Sequence, residues 1–409
     1  MLNIIWVLFF FTAFITAIFK LVFLGDQQVF AQIMTAMFSL SKTAFEISLG
    51  LTGVLALWLG IMRIGERSGF MLLLTKALTP LFSRLMPDVP PNHPALAAIV
   101  MNISANALGL DNAATPLGIK AMKELQSLNP TPDTASNAQI LFLVINTSAV
   151  TLFPVTIFTY RAQLGAANPT DVFIPILIAT YMSTMMGLIA VASVQKINLL
   201  DKVIFSYLAG FTLFVAGILS YFAQLSQAEM LSQSALISNI ILFSLVIAFI
   251  SGAVYKRINA YDAFIEGAKE GFQTAIIIIP YLVAMLVAIG VFRASGALDL
   301  IIDLIRYGVH LFGFDARFID ALPTALMKPF SGSGARAMMV DTMQTYGADS
   351  FAGRLSSIVQ GSTETTFYVL AVYFGSVGIK NIRHAAACGI IADFAGIVAA
   401  IFIAYWFFG

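Results

Sequence analysis

LGLDNAATPLGIKAM, from Leu108 to Met122, returns in altered form as KPFSGSGARAM, from Lys328 to Met338. Each is a polar stretch containing Gly and Pro, set among long apolar runs. Hydrocarbon cannot satisfy the backbone groups that Gly and Pro leave open, so such stretches sit in a membrane only where they line a cavity. Two of them, one in each half of the chain, predict a duplicated membrane protein with a polar site at its centre. The expected fold class is all-α: a polytopic membrane protein with inverted repeats, re-entrant helical hairpins and interrupted transmembrane helices.

Composition points the same way. Hydrophobic residues make up 59% and charged residues 11% of 409, which leaves room for roughly eight to ten spans of about 20 residues. A net charge of +1 offers nothing to a nucleic acid. The single cysteine, Cys388, rules out an intrachain disulfide. His93, His310 and His384 are scattered and show no zinc spacing,. There is no G-x-x-x-x-G-K-[ST] phosphate loop, nucleophile–base pair or oxidoreductase motif. The expectation is a non-enzyme with no cofactor, no metal and no catalytic residue. The opening run MLNIIWVLFFFTAFITAIFKLVFLG lacks basic residues before its apolar core and an A-x-A pattern after it, so it is expected to stay as a first span,.

Apolar length predicts spans at about 4–24, 45–63, 137–160, 172–194, 203–222, 235–255, 272–292, 355–376 and 385–408,. The segments at about 69–86 and 296–313 carry charges at helical spacing and are expected to lie along the interface. Stretches 94–122 and 317–342 are apolar at both ends and polar between, as re-entrant hairpins are.

The duplication can be followed residue by residue. Lys42, Phe45 and Ser68-Gly69 match Lys269, Phe272 and Ser295-Gly296 at one offset of 227. Gly118, Ala121, Met122, Asp133 and Thr147 match Gly334, Ala337, Met338, Asp349 and Thr363 at 216. The smaller second offset places an insertion in the first half, near the Pro-rich loop 86–94. The expected division is 1–200, a first repeat, and 201–409, a linking helix followed by a second repeat.

Basic residues set the expected orientation. Arg63, Arg67, Lys76 and Arg84 face the cytoplasm, with Lys196, Lys202, Lys256, Arg257, Lys380 and Arg383 on the same side by alternation. The loop 223–234 has no basic residue and falls outside. Arg293, Arg306 and Arg354 dissent. The linking span makes the second repeat start from the opposite side, so the repeats are inverted.

The first half, with ALWLGIMRIGERSG, NALGLDNAATPLGIKAMKELQSLNP and FLVINTSAVTLFP, resembles spore maturation protein A. The second, with YDAFIEGAKEGFQTAIIIIPYLVAMLVAIGVFRASGALD, PFSGSGA, GSTETTFYVLAVYFGSVGIK and ADFAGI, resembles spore maturation protein B. Both are similar to the nucleoside-recognition, or Gate, superfamily. The resemblance covers nearly the whole chain and implies a transporter-like architecture in a bacterial cytoplasmic (inner) membrane, without supplying a substrate. The chain departs from the pattern at Lys328, where Arg is expected; Lys keeps the charge and loses the planar fork.

The candidate site follows from the polar interruptions. Asn112, Thr115 and Pro116 form the tip of the first hairpin, and Ser331 and Ser333 that of the second. Asn146, Thr147 and Ser148 lie mid-span at the repeat positions of Ser362, Thr363 and Glu364, with Thr365 next. Polar runs at bilayer depth usually face a cavity, although Ser and Thr also bond back to their own helix. Glu364 stands out: a midplane carboxylate costs roughly 2.5–3.5 kcal/mol on insertion scales. It is the expected coupling residue, with Gln360 one turn earlier on the same face. Asp393, in the last span, reads as a weaker acid of the same kind, or as a partner of Arg383 or His384 on the inner side. Asp133 and Asp349 read as helix N-caps. The expected partners are the lipid bilayer and an unknown small polar solute, with homo-oligomer formation left open. The competing reading is a membrane scaffold or regulator of envelope assembly that keeps a transporter fold.

Overall fold

The computed structural model describes residues 2–108, 111–148 and 152–409, with the side chains of Leu2 and 111–113 excepted. Among the described residues the chain is α-helical, with no strand. Seven helices are long and apolar enough to cross a membrane. They are α1 (Leu2–Phe23), α2 (Val29–Ser68), α8 (Phe173–Gln195), α9 (Lys202–Phe222), α10 (Gln227–Tyr255), α11 (Ala260–Ala294) and α17 (Ala385–Phe408).

The two remaining expected spans are broken. Residues 137–160 become α6 (Asn137–Thr147) and α7 (Val155–Gln163), and residues 355–376 become α15 (Phe351–Ser362) and α16 (Thr366–Gly375). Seven continuous and two broken crossings give the nine expected from apolar length. The interfacial segments are α3 (Phe70–Leu85) and α12 (Ala297–Leu311). On α12, Leu300, Leu304, Tyr307 and Leu311 are exposed while Ala297, Leu298 and Ile302 are buried. Two apolar faces suit a helix held between protein and lipid. The hairpins are α4 (Pro94–Ala107) with α5 (Asp111–Ser127), and α13 (Leu322–Met327) with α14 (Gly332–Tyr346), the latter preceded by a 3-10 turn, Arg317–Ala321. The order α1 to α8 therefore repeats as α10 to α17, with α9 between.

The inversion is visible in two helix pairs. Gly60 packs on Phe264, Gly271 on Ala56 and Gly290 on Leu40. As the number on α2 falls, that on α11 rises, so these equivalent helices run antiparallel. A Cβ at Gly271 would stand 2.6 Å from the Ala56 Cα, and that missing side chain is what lets the backbones meet,. Arg63 clamps the pair at one end, bonding Glu66 at 2.6 Å, Glu266 at 3.0 Å and Glu270 at 2.5 Å. In the same way Gly187 meets Ala392, and Ser183 meets Gly396, so α8 and α17 are antiparallel too. Ser183 donates to the Ala392 carbonyl at 2.9 Å.

Several expectations are corrected. The loop expected between the first two spans shrinks to a turn, because α2 starts at Val29. Asp133 and Asp349 are not N-caps. Ser136 caps α6 in a capping box with Gln139, and Ser350 caps α15 through Gly353 N at 3.0 Å. A short hydroxyl next to the first helical residue reaches the open amides better than a carboxylate one or more residues further out.

Candidate functional site

Three backbone hydrogen bonds assemble the centre. Leu152 N donates to Ala107 O at 3.0 Å, tying the first break to the end of α4. Phe367 N donates to Pro329 O at 3.0 Å, tying the second break to the other hairpin. Glu364 N donates to Thr147 O at 2.8 Å and joins the two breaks. Ala107 O, Thr147 O and Phe367 N are groups that a helix end leaves open, and each meets a backbone group of a break or hairpin turn.

The first break is inward-looking. Asn146 Nδ2 donates to Phe142 O at 2.8 Å, Thr147 Oγ1 to Val144 O at 2.9 Å and Ser148 Oγ to Ile145 O at 2.9 Å. Asn146 Oδ1 accepts from Asn106 Nδ2 at 2.9 Å. These side chains bond back to their own helix, and Thr180 and Thr184 take up the Ser148 carbonyl at 3.2 and 3.4 Å. Beside them Asn102 donates to Ala114 O at 2.7 Å, and Tyr373 packs over Gly118 and stacks on Phe142.

The second break is not self-satisfied. Thr363 and Thr365 leave the helix in extended conformation. Ser362 Oγ returns to Val359 O at 3.0 Å. Among the described residues, Gln360 Oε1, Thr363 Oγ1, Thr365 Oγ1 and Asp393 Oδ1 are buried without a hydrogen-bond partner. Four such atoms so close together are unusual, because buried polar groups are normally paired.

Lys328 holds the second break in place. It is buried, and its Nζ donates to Gln360 O at 2.7 Å, one of the last carbonyls of α15. A cation at a helix C-terminus meets both the open carbonyls and the negative end of the dipole. Lys328 also lies within electrostatic range of Asp393. Its point charge suits a single carbonyl, so the planar fork of the Arg expected there is not needed for this bond.

The two mid-span carboxylates differ in exposure. Glu364 is exposed and lines a cleft. Asp393 is the buried acid at 1% exposure, one turn from the Ser183–Gly396 contact. It accepts from Thr366 Oγ1 at 2.6 Å and does not pair with Arg383 or His384. Arg383 donates to Ala135 O at 2.9 Å and His384 meets Gln195 at 3.1 Å. The rise of a helix puts residues nine or ten positions apart about 14 Å from one another, too far for an ion pair. Gln360 does not share a helix face with Glu364, because α15 ends at Ser362. The two nonetheless line the same cleft.

That cleft, about 90 Å³, runs between α7, α14 and α15. Phe153, Pro154, Val155 and Ile157 form an apolar wall, and Tyr160, Lys328, Arg336, Gln360, Thr363 and Glu364 supply the polar groups. Sequence reading missed Tyr160, Lys328 as a positioning group, and Arg336. The arginine directly follows the Ser-Gly-Ser-Gly-Ala motif, and that adjacency was the available signal. Ser331 caps α14 by accepting from Gly334 N at 2.9 Å, and its hydroxyl lies 3.2 Å from that of Ser333, so one of the first open amides of α14 is already engaged. Thr115 is half-buried on α5 and does not line the cleft. The Asn112 side chain lies outside the described residues, and so does part of the first hairpin tip. A larger hollow of about 470 Å³ is formed elsewhere by loops 128–138 with Arg383, remote from the breaks.

Arg161, next to Tyr160 in the chain, belongs to a buried ion cluster outside the cleft. Arg161 is fully buried and bonds Asp171 at 2.8 Å, Asp349 at 3.0 Å and Ala348 O at 2.7 Å. Arg354 reaches Asp171 at 2.8 Å. The cluster ties the loop before α8 to the start of α15, across the two repeats. Burial pushes the Asp171 carboxyl above its ordinary range, and the two guanidiniums pull it back in part,.

Antiparallel repeats, two helical hairpins and two mid-span breaks define an all-α, multi-pass membrane protein. The Gate model, described as nucleoside recognition, matches residues 48–164 and 275–380, more than half of the chain. The chain belongs to this family. It is 51% identical to spore maturation protein B of Bacillus subtilis (strain 168) over 154 residues, 38% of this chain and 85% of that protein. It is 42% identical to spore maturation protein A of the same organism over 183 residues, 45% of this chain and 90% of that protein. The two resemblances read from the sequence are borne out. No solved structure matches.

Proposed function

We propose that the protein is a non-enzymatic carrier in the bacterial cytoplasmic membrane, and that it binds a small polar solute at the second break. One observation carries this reading: the buried, unpartnered Gln360 Oε1, Thr363 Oγ1, Thr365 Oγ1 and Asp393 Oδ1 beside a cleft. A packing element would leave such atoms paired, since each open one costs about 1–3 kcal/mol. A solute or its water shell would complete them. Glu364, exposed to the cleft, is the group that exchanges a proton or cation with the solute.

A membrane scaffold that has kept the fold is the second reading. Its support is the first break, where Asn146, Thr147 and Ser148 are satisfied within their own helix. Vesicles loaded with a pH-sensitive dye separate the two. Pools of amino acids, nucleosides, sugars and small amines are offered in turn. A pool that drives a pH change or accumulates supports the carrier; silence from every pool, with correctly inserted protein, sinks it.

A further inference from the structure

We infer that the cleft takes a small zwitterion, a molecule with a cationic and an anionic pole a few bonds apart, as in an amino acid or a betaine. The inference rests on the carrier reading above and names the chemical class of its solute.

The charge pattern carries it. Glu364 and Arg336 both line the cleft, from α15's end and from α14. Among the described residues neither is in an ion pair: no carboxylate bridges Arg336 and no cation bridges Glu364. The chain's other cleft cation, Lys328, is engaged by the Gln360 carbonyl. A site with opposite charges held apart on its walls favours a ligand carrying the complementary pair. A ligand of one charge would meet one attraction and one repulsion.

The neutral groups fit the same class. Tyr160 and Thr363, each at 1% exposure, line the cleft; the Tyr160 hydroxyl lies beside Arg336 and Thr363 Oγ1 beside Asp393, neither in a well-formed hydrogen bond. They offer donors near Arg336 and near the break. Gln360 Oε1 is an open acceptor on the Glu364 side. Donors beside the guanidinium and acceptors beside the carboxylate extend the same polarity.

Size narrows the choice. The cleft measures about 90 Å³. Sites for drug-sized ligands run from about 300 Å³ upward. The space favours a solute with a handful of non-hydrogen atoms over a larger one such as a nucleoside,. The pattern also belongs to one repeat only. At the repeat positions of Arg336 and Glu364 stand Lys120 and Ser148, so the acidic pole has no counterpart in the first half.

The test uses the full chain purified in detergent, with its unfolding temperature read against added solute. The probes are glycine, L-alanine and glycine betaine as zwitterions, propionate and ethylamine as single poles, and uridine. A saturable rise in unfolding temperature is expected with a zwitterion, at concentrations at least tenfold below those needed for propionate or ethylamine. Arg336→Gln and Glu364→Gln should each erase that tenfold preference. Arg336→Lys, which keeps the charge, should retain part of it and covers the case in which the Gln variant fails to fold. Propionate or ethylamine acting as strongly as the zwitterions overturns the inference. Uridine alone giving the saturable rise also overturns it, while leaving a solute site in place. No response to any probe in protein that melts cooperatively overturns the inference together with the carrier reading.

Discussion

Glu364 donates its amide to the carbonyl of Thr147 across 2.8 Å, and this bond joins the interruption of one repeat to the interruption of the other. The residue thus has a backbone that holds the centre together and a side chain left to the cleft. Its two functions can be separated by substitution, because a side-chain change leaves the amide in place.

Glu364→Gln should therefore fold and insert as the parent does, with an unfolding temperature close to it. Under the carrier reading its uptake should lose dependence on pH or on the coupling cation. Uptake in reconstituted vesicles at several external pH values is the measurement. A variant that keeps both rate and pH dependence removes Glu364 from coupling.

Lys328→Met should act differently. The buried Nζ–Gln360 O bond of 2.7 Å disappears, and a buried carboxylate nearby loses a compensating charge. The expected loss is about 1–3 kcal/mol for the unmade bond, read as a lower unfolding temperature in detergent. Lys328→Arg should recover most of it if charge at the helix end is what matters. Equal stability of Met and Lys would show that the bond contributes nothing.

Arg161→Met should be the more damaging change. It strips Asp171 and Asp349 of a fully buried partner, and breaking a buried pair from one side costs about 3–5 kcal/mol,. Stability should also depend on pH through Asp171. Its folded pKa is raised above 3.8, so its contribution is present in full below that value and is lost as pH rises through the folded pKa,. Denaturation curves of the parent and of Asp171→Asn across the acidic range would test this. Curves of identical shape for the two proteins would rule the contribution out.

Gly271→Ala tests the repeat interface. The new Cβ would press on the α2 backbone at Ala56, which cannot swing aside as a side chain could. Overpacking of this kind costs typically about 1–3 kcal/mol. Gly308→Ala, in open space on α12, is the control and should be silent. A reduced yield of folded protein is expected for the first variant alone.

Orientation is open to direct labelling. In a Cys388→Ser background, single cysteines at Gln28 and Ser226 should react from outside, and one at Asn198 from the cytoplasm. Reaction of Ser226→Cys from the cytoplasmic side would reverse the assignment drawn from basic residues.

The sequence made the repeat, the hairpins and the two breaks legible, because each rests on a local signal. Apolar length marks a span, and Gly, Pro and runs of Ser and Thr mark its interruption. What could not be read were matters of which group faces which. Glu364 and Asp393 are both acids in apolar surroundings, yet one opens to the cleft and the other is buried against Thr366 of α16. Only tertiary packing separates them. Arg161 drew no attention in the sequence. Its partners, Asp171 and Asp349, lie in other segments and in the other repeat, beyond the reach of local pattern.

The antiparallel pairing of α2 with α11 also bears on synthesis. Arg63 and its partner Glu270 are 207 residues apart. At roughly 5–20 residues per second, the ribosome takes on the order of 10–40 s to cover that interval. Through that delay the first long helix must wait in the membrane with its guanidinium served only by Glu66, one turn away at 2.6 Å. That local pair acts as a holding contact for an unfinished protein, released to share the arginine once the second half arrives.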